Sequence, residues 1–188
     1  MRRGNLFVIS GPSGAGKGTL VARLLREVPD AWVSVSATTR HPREGEVNGV
    51  HYFFETPESF QRLVAEDGLL EWATYAGNNY GTPRAAVESK MAEGKQVILE
   101  IDVQGAFQVK EKLPQAHLVF IEPPSLEVLE ARLRGRATET EDVIESRMKA
   151  AQVELSRKME YDIRVINDDL DEATRELVAY VDEQAERQ

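Results

Sequence analysis

The chain has 188 residues, and its 23 lysines and arginines against 32 aspartates and glutamates give a formal net charge of -9 at pH 7. This length suits one globular domain, and a hydrophobic fraction of 41% favours folding over disorder. The acidic balance argues against a general polyanion binder, because affinity for a phosphate backbone needs a basic surface, so we expect no nucleic-acid partner. The sequence contains no cysteine, which excludes disulfides, thiolate catalysis and cysteine-built zinc sites.

Every apolar run in the sequence is short. The N-terminus is basic, but the run that follows covers only residues 6–9 before a Gly-Pro pair. Such a run is too short for the core of a signal peptide and far too short to span a bilayer. We therefore expect no membrane partner and a cytoplasmic location.

Strand-like and helix-like segments alternate along the chain. Short apolar runs, typical of strands buried on both faces, are separated by helical patterns, and Thr138 and Asp169 are predicted to cap the last two helices. Strands that alternate with helices predict right-handed βαβ units, and hence a parallel sheet with helices on both faces. The predicted strands are 6–9, 97–99, 118–121 and 163–166, and the earlier helices are 17–28, 84–93, 104–112 and 126–134.

Residues 34–83 break this alternation. Residues 51–54 and 69–73 alternate in the manner of antiparallel strands, and a short helix is predicted at 57–65, with Pro57 in its first turn. This pattern predicts a small mixed α/β subdomain inserted into the α/β core. The single predicted domain thus comprises a core (1–33, 84–131 and 162–188), the inserted subdomain (34–83) and an arginine-rich helical excursion (about 132–161).

A phosphate-loop pattern, GxxxxGK, lies between the first predicted strand and the first predicted helix. The backbone N–H groups of such a loop surround phosphate oxygens, and Lys17 supplies a full charge for the β- and γ-phosphates. Gly18 stands where a Ser or Thr usually contacts Mg²⁺, and Thr19 follows, so Mg²⁺ would be held through waters and by the phosphates. The alternative is a glycine-rich turn that binds nothing. The loop reads Gly11-Pro12-Ser13-Gly14-Ala15-Gly16-Lys17.

Several motifs, in chain order, resemble those of the guanylate kinases, which phosphorylate GMP. The resemblance covers nearly the whole chain. It implies a phosphate-loop kinase fold in which the inserted subdomain binds GMP and the helical excursion is a lid. It also implies the reaction ATP + GMP = ADP + GDP, with Mg²⁺ bound to ATP, in purine nucleotide metabolism and GMP recycling. The motifs are the phosphate loop, TTRxPRxGExxGxxY at 38–52, Glu71-Trp72, Gly81-Thr82, EIDVQG at 100–105, the arginines of 132–136 and NDD at 167–169.

Two arginines in the 38–52 motif are candidates for binding the acceptor phosphate. Arg40 and Arg43 flank a proline in a segment with little helical character. Their guanidinium groups, with the hydroxyls of Ser36 and Tyr52, could clamp one phosphate monoester. Two solvated arginines on a turn are the alternative. The resemblance implies that Tyr80 is a further ligand of this phosphate.

Two carboxylates are candidates for reading the base. Guanine presents N1–H and an exocyclic amino group side by side, and an ionised carboxylate can accept both hydrogen bonds, whereas adenine offers no matching pair. The resemblance implies that Glu71 and Asp102 read guanine, with the hydroxyl of Thr82 near O6. Taken alone, Glu71 could equally be a charge on an edge strand.

The resemblance also assigns catalytic arginines. Arg132, Arg136 and Arg147 correspond to lid arginines and join Lys17 and Arg40, since phosphoryl transfer needs positioned cations more than covalent chemistry. Arginines paired with surface glutamates are the alternative.

The adenine end and the metal end of the nucleotide site are less specified by the sequence. Asn167 and Asp168 are implied beside the adenine, chiefly through their backbone. Glu100 departs from an aspartate found in some members of the family. It is a candidate for reaching Mg²⁺ through water or for holding an arginine, and no side chain is predicted to bind the metal directly.

Two other functions stay open. A phosphate-loop kinase acting on another phosphorylated acceptor, such as a sugar phosphate, would not need Glu71 and Asp102. A non-catalytic guanylate-kinase-like module would bind peptides, but such modules typically lack an intact phosphate loop, whereas this chain keeps Gly11, Gly16 and Lys17. ATP and GMP are the expected partners, and the sequence leaves a homo-oligomer open.

Overall fold

The computed structural model describes residues 2–135 and 140–187. Strands and helices alternate over most of this length, as the sequence predicts, and two sheets form. In chain order the elements are β1 (Asn5–Ser10), α1 (Lys17–Glu27), β2 (Ala31–Val33), β3 (Ala37–Thr38), β4 (Phe53–Phe54), α2 (Pro57–Ala65), β5 (Leu69–Tyr75), β6 (Asn78–Pro83), α3 (Arg84–Ala92), β7 (Gln96–Glu100), α4 (Val103–Lys112), β8 (His117–Glu122), α5 (Leu126–Gly135), α6 (Glu141–Ser156), a 3₁₀ turn (Lys158–Glu160), β9 (Ile163–Ile166) and α7 (Leu170–Glu186).

The larger sheet has five strands in the order β2-β7-β1-β8-β9, and every pairing in it is parallel. Its central strand, β1, is buried along its whole length. Leu6 and Val8 pack on one face against α3 and α4, while Phe7 and Ile9 pack on the other face against α1 and α7. The predicted parallel sheet with helices on both faces is thereby confirmed. The carboxyl ends of its strands form the edge at which ligands bind in such folds.

The smaller sheet lies within residues 34–83 and has the strand order β4-β3-β6-β5. β5 is an antiparallel strand, as predicted, but its partner is β6, which was not predicted, and Phe60 of α2 packs with Ala37 and Leu69 in a separate small core. The prediction of an antiparallel strand at 51–54 is wrong, because β4 is shorter and pairs parallel to β3. The connection at 39–52 supplies the length, about a dozen residues, that a parallel crossover requires.

One strand of the larger sheet was not predicted. β2 follows α1 almost at once, and its three residues pair with β7 at the sheet edge. Three partly exposed residues are too few to show either a strand or a helix period.

The predicted helix ends lie within one residue of the observed ones, except at the start of α6. Asp169 caps α7 as predicted, since its carboxylate accepts a hydrogen bond from Glu172 N at 2.8 Å. The N-cap of α6 is Thr140 rather than Thr138, which lies outside the described residues. Both threonines precede acidic residues, so the sequence pattern alone does not distinguish them. Over the described ranges no helix is both long and apolar enough to cross a membrane.

Candidate active site

The phosphate loop connects the central strand β1 to α1 and is shaped by its glycines. Gly11 and Gly16 have φ angles of 142° and 94°, which L side chains rarely adopt. A Cβ at Gly11 would lie 2.2 Å from the carbonyl oxygen of Ile121, and one at Gly16 would lie 2.3 Å from Nδ2 of Asn167. Neither position can accept a larger residue without displacing these neighbours, so the shape of the loop depends on both glycines.

Lys17, the first residue of α1, keeps its ammonium group inside the loop. Its Nζ donates to the carbonyl oxygens of Gly11 at 2.5 Å and Pro12 at 3.1 Å. A cavity of about 330 Å³ opens beside it, and its lining includes Ser13, Gly18, Thr19 and Glu100. The loop therefore surrounds a polar space with a cation at its base.

Asn167, at the end of β9, has a larger role than the sequence suggested. Its buried side chain donates from Nδ2 to the carbonyl oxygen of Ala15 at 2.8 Å, and its backbone carbonyl accepts from Arg132 at 2.9 Å. The side chain thus supports the phosphate loop, and the backbone of the same residue contacts α5. Asp168, by contrast, is exposed.

Arg147 also contacts the loop, because its guanidinium donates to the hydroxyl of Ser13. The structure therefore brings Arg132 and Arg147 to the nucleotide side of the cleft. Arg136, the third predicted lid arginine, lies outside the described residues.

Arg40 is held by an ion pair that the sequence analysis did not assign to the site. Its guanidinium donates to Glu46 at 2.8 Å and lies 5.3 Å from the ring centroid of Tyr52. Glu46 also accepts from the backbone N–H of Arg43 at 2.7 Å. The hydrogen bond from Arg40 is the largest cause that lowers the pKa of Glu46, to about 2. The sequence contained one indication of this ion pair: two opposite charges lie six residues apart, with a glycine between them that favours a turn.

The predicted phosphate ligands are only partly brought together. Ser36, Tyr52 and Tyr80 line one cavity of about 310 Å³, and the rings of the two tyrosines lie 6.2 Å apart. Arg40 lies next to these residues because its guanidinium is over the ring of Tyr52, whereas the side chain of Arg43 is exposed. Arg43 thus stands at the margin of the predicted clamp.

The same cavity contains the two predicted base-reading carboxylates. Glu71 of β5 is buried, and its Oε1 accepts a hydrogen bond from the buried hydroxyl of Thr82 at 2.6 Å. Asp102 caps α4 by accepting from Gly105 N at 2.7 Å. Burial is the main cause that raises the pKa of Glu71, and the nearby charge of Asp102 raises it further. A buried carboxylate beside a second one has a strong requirement for hydrogen-bond donors.

We expect the substitution Glu71→Gln to raise the free energy of unfolding near neutral pH. The pKa of Glu71 is higher in the folded protein than its ordinary value of 4.5, so its ionisation costs stability as pH rises through and above that value. The gain should therefore be present at about pH 7 and vanish near pH 4, where the carboxyl is protonated in both states. Urea unfolding at the two pH values measures this difference. The exposed control Glu66→Gln should show no such pH-dependent gain, and an equal gain at both pH values for Glu71→Gln would contradict the expectation.

Glu154 is a cleft residue that the sequence analysis missed. It is half-buried on α6 and lines a cavity with Asp102 and Arg157, and its Oε2 is buried without a hydrogen-bond partner among the described residues. Burial raises its pKa, while the charge of Lys17 opposes that shift. Arg147 and Glu154 are seven residues apart, two helical turns, so the prediction that Arg147 faces the cleft already implied the same for Glu154.

The fold and the site define a class of protein: a phosphate-loop kinase, with a nucleotide loop after the central parallel strand and a second cavity beside it. The family model described as Guanylate kinase matches residues 3–184 of the chain. The chain therefore belongs to the guanylate kinase family and is a kinase, which confirms the predicted family and enzyme class.

Similar proteins agree with this assignment. A guanylate kinase of Synechococcus sp. (strain CC9311) is 55% identical over 170 residues, covering 90% of this chain and 90% of its own length. A guanylate kinase of Synechocystis sp. (strain ATCC 27184 / PCC 6803 / Kazusa) is 54% identical over 182 residues, covering 97% of this chain and 95% of its own length. Among solved structures, the guanylate kinase from Anaplasma phagocytophilum matches with a TM-score of 0.74 and 31% identity, covering 100% of this chain and 89% of its own.

Proposed function

We propose that this chain transfers the γ-phosphoryl group of ATP to GMP, giving ADP and GDP, and so serves purine nucleotide metabolism and GMP recycling. The observation that carries the proposal is the buried Glu71, which accepts a hydrogen bond from Thr82 and lines, with Asp102, a second cavity apart from that of the phosphate loop. Ser10, the last residue of β1, donates to the carbonyl oxygen of Asp102 at 3.4 Å, so the two sites begin at neighbouring strand ends.

ATP binds along residues 11–19 in this proposal. The loop N–H groups and the N-terminus of α1 attract the phosphates, and Lys17 leaves its carbonyl partners to neutralise the β- and γ-phosphates. Asn167 keeps the loop in shape, and the backbone of 167–168 lies beside the adenine.

GMP binds in the 310 Å³ cavity between residues 34–83 and the end of β7, with its phosphate towards Arg40, Ser36, Tyr52 and Tyr80 and with Arg43 at the margin. The base lies against Glu71 and Asp102, whose remaining oxygens accept from the guanine N–H groups. The hydroxyl of Thr82 fixes the orientation of Glu71 through the hydrogen bond between them. Adenine would leave these buried acceptors unpaired, which is the physical basis of base selection.

The transfer itself requires no general base. An oxygen of the GMP phosphate, already a nucleophile when ionised, attacks the γ-phosphorus in line. The bond from that phosphorus to the bridging oxygen breaks, and ADP leaves with the electron pair. Lys17, Arg40 and the arginines 132, 136 and 147 supply the positive charges that the transition state needs.

We propose that residues of about 132–161 act as a lid, with 1–33, 84–131 and 162–188 as the core. Arg132 already contacts Asn167 and Arg147 contacts Ser13, so this segment can bring cations to ATP and exclude water from the reacting groups.

Mg²⁺ enters with ATP and neutralises charge on the phosphates. Over the described ranges no group of three His, Asp or Glu residues could hold a metal ion by itself, and Glu100 is the carboxylate of the nucleotide cavity. This donor set fits a cation that would be held mainly by phosphates and water, and Glu100 would be the carboxylate that could hold those waters.

The proposal is tested by incubating the protein with ATP labelled in its γ-phosphate, with and without GMP. The label should appear in GDP, and ATP should be stable when GMP is absent. If the label were released as free phosphate without GMP as fast as it is transferred from ATP when GMP is present, the proposal would be contradicted.

Glu46 positions Arg40, and its removal should affect GMP more than ATP. We expect Glu46→Gln to raise the KM for GMP about tenfold, because the guanidinium loses a charge-assisted hydrogen bond that fixes it, with the KM for ATP little changed. Steady-state kinetics with each substrate varied measures the split. Glu44→Gln, two residues away and exposed, is the matched control. An equal rise in both KM values would assign Glu46 a structural role instead.

A further inference from the structure

The strand that carries Glu71 is irregular at this residue. The register between β5 and β6 shifts between Leu69 and Trp72, where three steps along β5 match two steps along β6. The extra residue forms a β-bulge that includes Glu71. A bulge changes the direction of a side chain and interrupts the ladder of hydrogen bonds that would otherwise hold it. The position of the Glu71 carboxylate therefore depends on contacts from outside the two strands.

Gln108 of α4 supplies such contacts. β5 is an edge strand of the smaller sheet, so one of its edges has no strand partner. On Gln108, Oε1 accepts from the backbone N–H of Trp72 at 3.1 Å, and Nε2 donates to the carbonyl oxygen of the same residue at 3.4 Å. The amide thus pairs with both backbone groups of the residue next to Glu71, as a neighbouring strand would.

The same side of α4 contacts β5 at two further points. One turn before Gln108, a Cβ added to Gly105 would lie 3.2 Å from Oε2 of Glu71, so the helix passes close to the carboxylate. One turn after it, Lys112 donates to the carbonyl oxygen of Leu69 at 2.7 Å. Residues three and four positions apart lie on one side of a helix. The bulge is therefore held against α4 on both sides of Glu71.

These contacts connect the two carboxylates that are assigned to the base. Asp102 belongs to the core, because it caps α4 by accepting from Gly105 N, whereas Glu71 belongs to the inserted subdomain. Thr82 lies on β6 and bonds Glu71 from within the same sheet, so it cannot set the distance between the two carboxylates. Gln108 can, since it joins the strand of Glu71 to the helix that Asp102 caps.

We propose that Gln108 is a positioning residue for base selection, which holds Glu71 where both carboxylates can accept from one guanine. This role rests on the proposed function, which assigns the cavity to GMP. Without the amide, Trp72 exchanges two protein hydrogen bonds for water, and the bulge can move away from α4. The carboxylate would then be displaced from the N–H groups of guanine, whose hydrogen bonds require correct distances and angles. Adenine makes no such bonds, so its binding should change little.

The test is steady-state kinetics with GMP and with AMP for the wild type, Gln108→Leu, Glu71→Gln and the double variant. Leucine is a good helix former of similar size, but its side chain can neither donate nor accept a hydrogen bond. For Gln108→Leu we expect the preference for GMP over AMP, measured as the ratio of the two kcat/KM values, to fall about tenfold, the size of one lost hydrogen bond.

The double variant shows whether Gln108 acts through Glu71. In the Glu71→Gln background, Gln108→Leu should change the ratio less than about twofold, because residues that act through one contact are not additive. Gln115→Leu, an exposed change in the turn after α4, is the control and should leave the ratio unchanged. Both acceptors are measured on one preparation, so a lower folded fraction would reduce both rates and leave their ratio unchanged.

The outcomes separate this role from the proposed function. If the wild type does not phosphorylate GMP, the proposed function fails and the role of Gln108 fails with it. If the wild type prefers GMP and Gln108→Leu keeps that preference, Gln108 has no part in base selection and the function stands. An equal fall of the ratio in both backgrounds would also contradict the proposal, since Gln108 would then act independently of Glu71.

Discussion

Replacing Lys17 with methionine is expected to lower kcat about a thousandfold, within the range found when a cation that stabilises transferred phosphoryl charge is removed. Methionine keeps an unbranched apolar side chain but removes the ammonium group that now donates to Gly11 and Pro12. Lys17 itself lines an open cavity, so water can enter the space that its ammonium group leaves, and the fold should be retained. Initial rates at saturating ATP and GMP, with thermal unfolding measured in parallel, test the expectation.

The matched control is Lys149→Met, which removes a lysine from the exposed side of α6. It should leave kcat within about twofold of the wild type, because surface ion pairs contribute little. A Lys17→Met protein that is folded and retains more than about a tenth of the wild-type rate would exclude the assigned role of the lysine.

Replacing Glu71 with glutamine is expected to lower kcat/KM for GMP about a thousandfold while leaving the low activity with AMP nearly unchanged, as for sites built to hydrogen-bond one substrate. Glutamine can still accept from Thr82, so the loss would arise at the base and not in the packing. Its amide presents donors towards the N–H groups of guanine, where the carboxylate presents only acceptors. The preference for GMP over AMP should fall by the same factor.

The control for this change is again Glu66→Gln, which alters an exposed carboxylate of the same subdomain. It should leave kcat/KM for GMP and for AMP unchanged. If Glu71→Gln left the preference among acceptors unchanged, Glu71 would not read the base, and the protein would be a phosphate-loop kinase that recognises its acceptor through other groups. The rival reading of the sequence predicts that result.

The strands and helices that show several apolar residues at a regular spacing could be predicted from the sequence. β1, β7 and β8 are apolar on both faces, and α1 carries a clear amphipathic stripe, so their order alone implies a parallel sheet. The shortest strands could not be predicted in this way. β2 and β4 are three and two residues long and are fixed by pairing with distant strands, which a local period does not report.

In the site, too, local patterns could be predicted and contacts between distant residues could not. The glycines and Lys17 of the phosphate loop could be assigned from spacing, because backbone geometry restricts those positions so strongly. The supporting contacts could not, since they join residues far apart in the chain: Asn167 binds the carbonyl of Ala15, and Thr82 binds Glu71 across two strands. Glu46 was present in the recognised motif, but only the structure shows that it holds Arg40.

The most direct measurement of the central claim is coupled ADP production with GMP, AMP, CMP and UMP as acceptors, under identical ATP and Mg²⁺. The buried pair of Glu71 and Thr82, with Asp102 beside it, predicts rapid ADP formation with GMP and at least a hundredfold lower kcat/KM with each of the other three. Equal activity with AMP would contradict the assignment of this cavity to guanine.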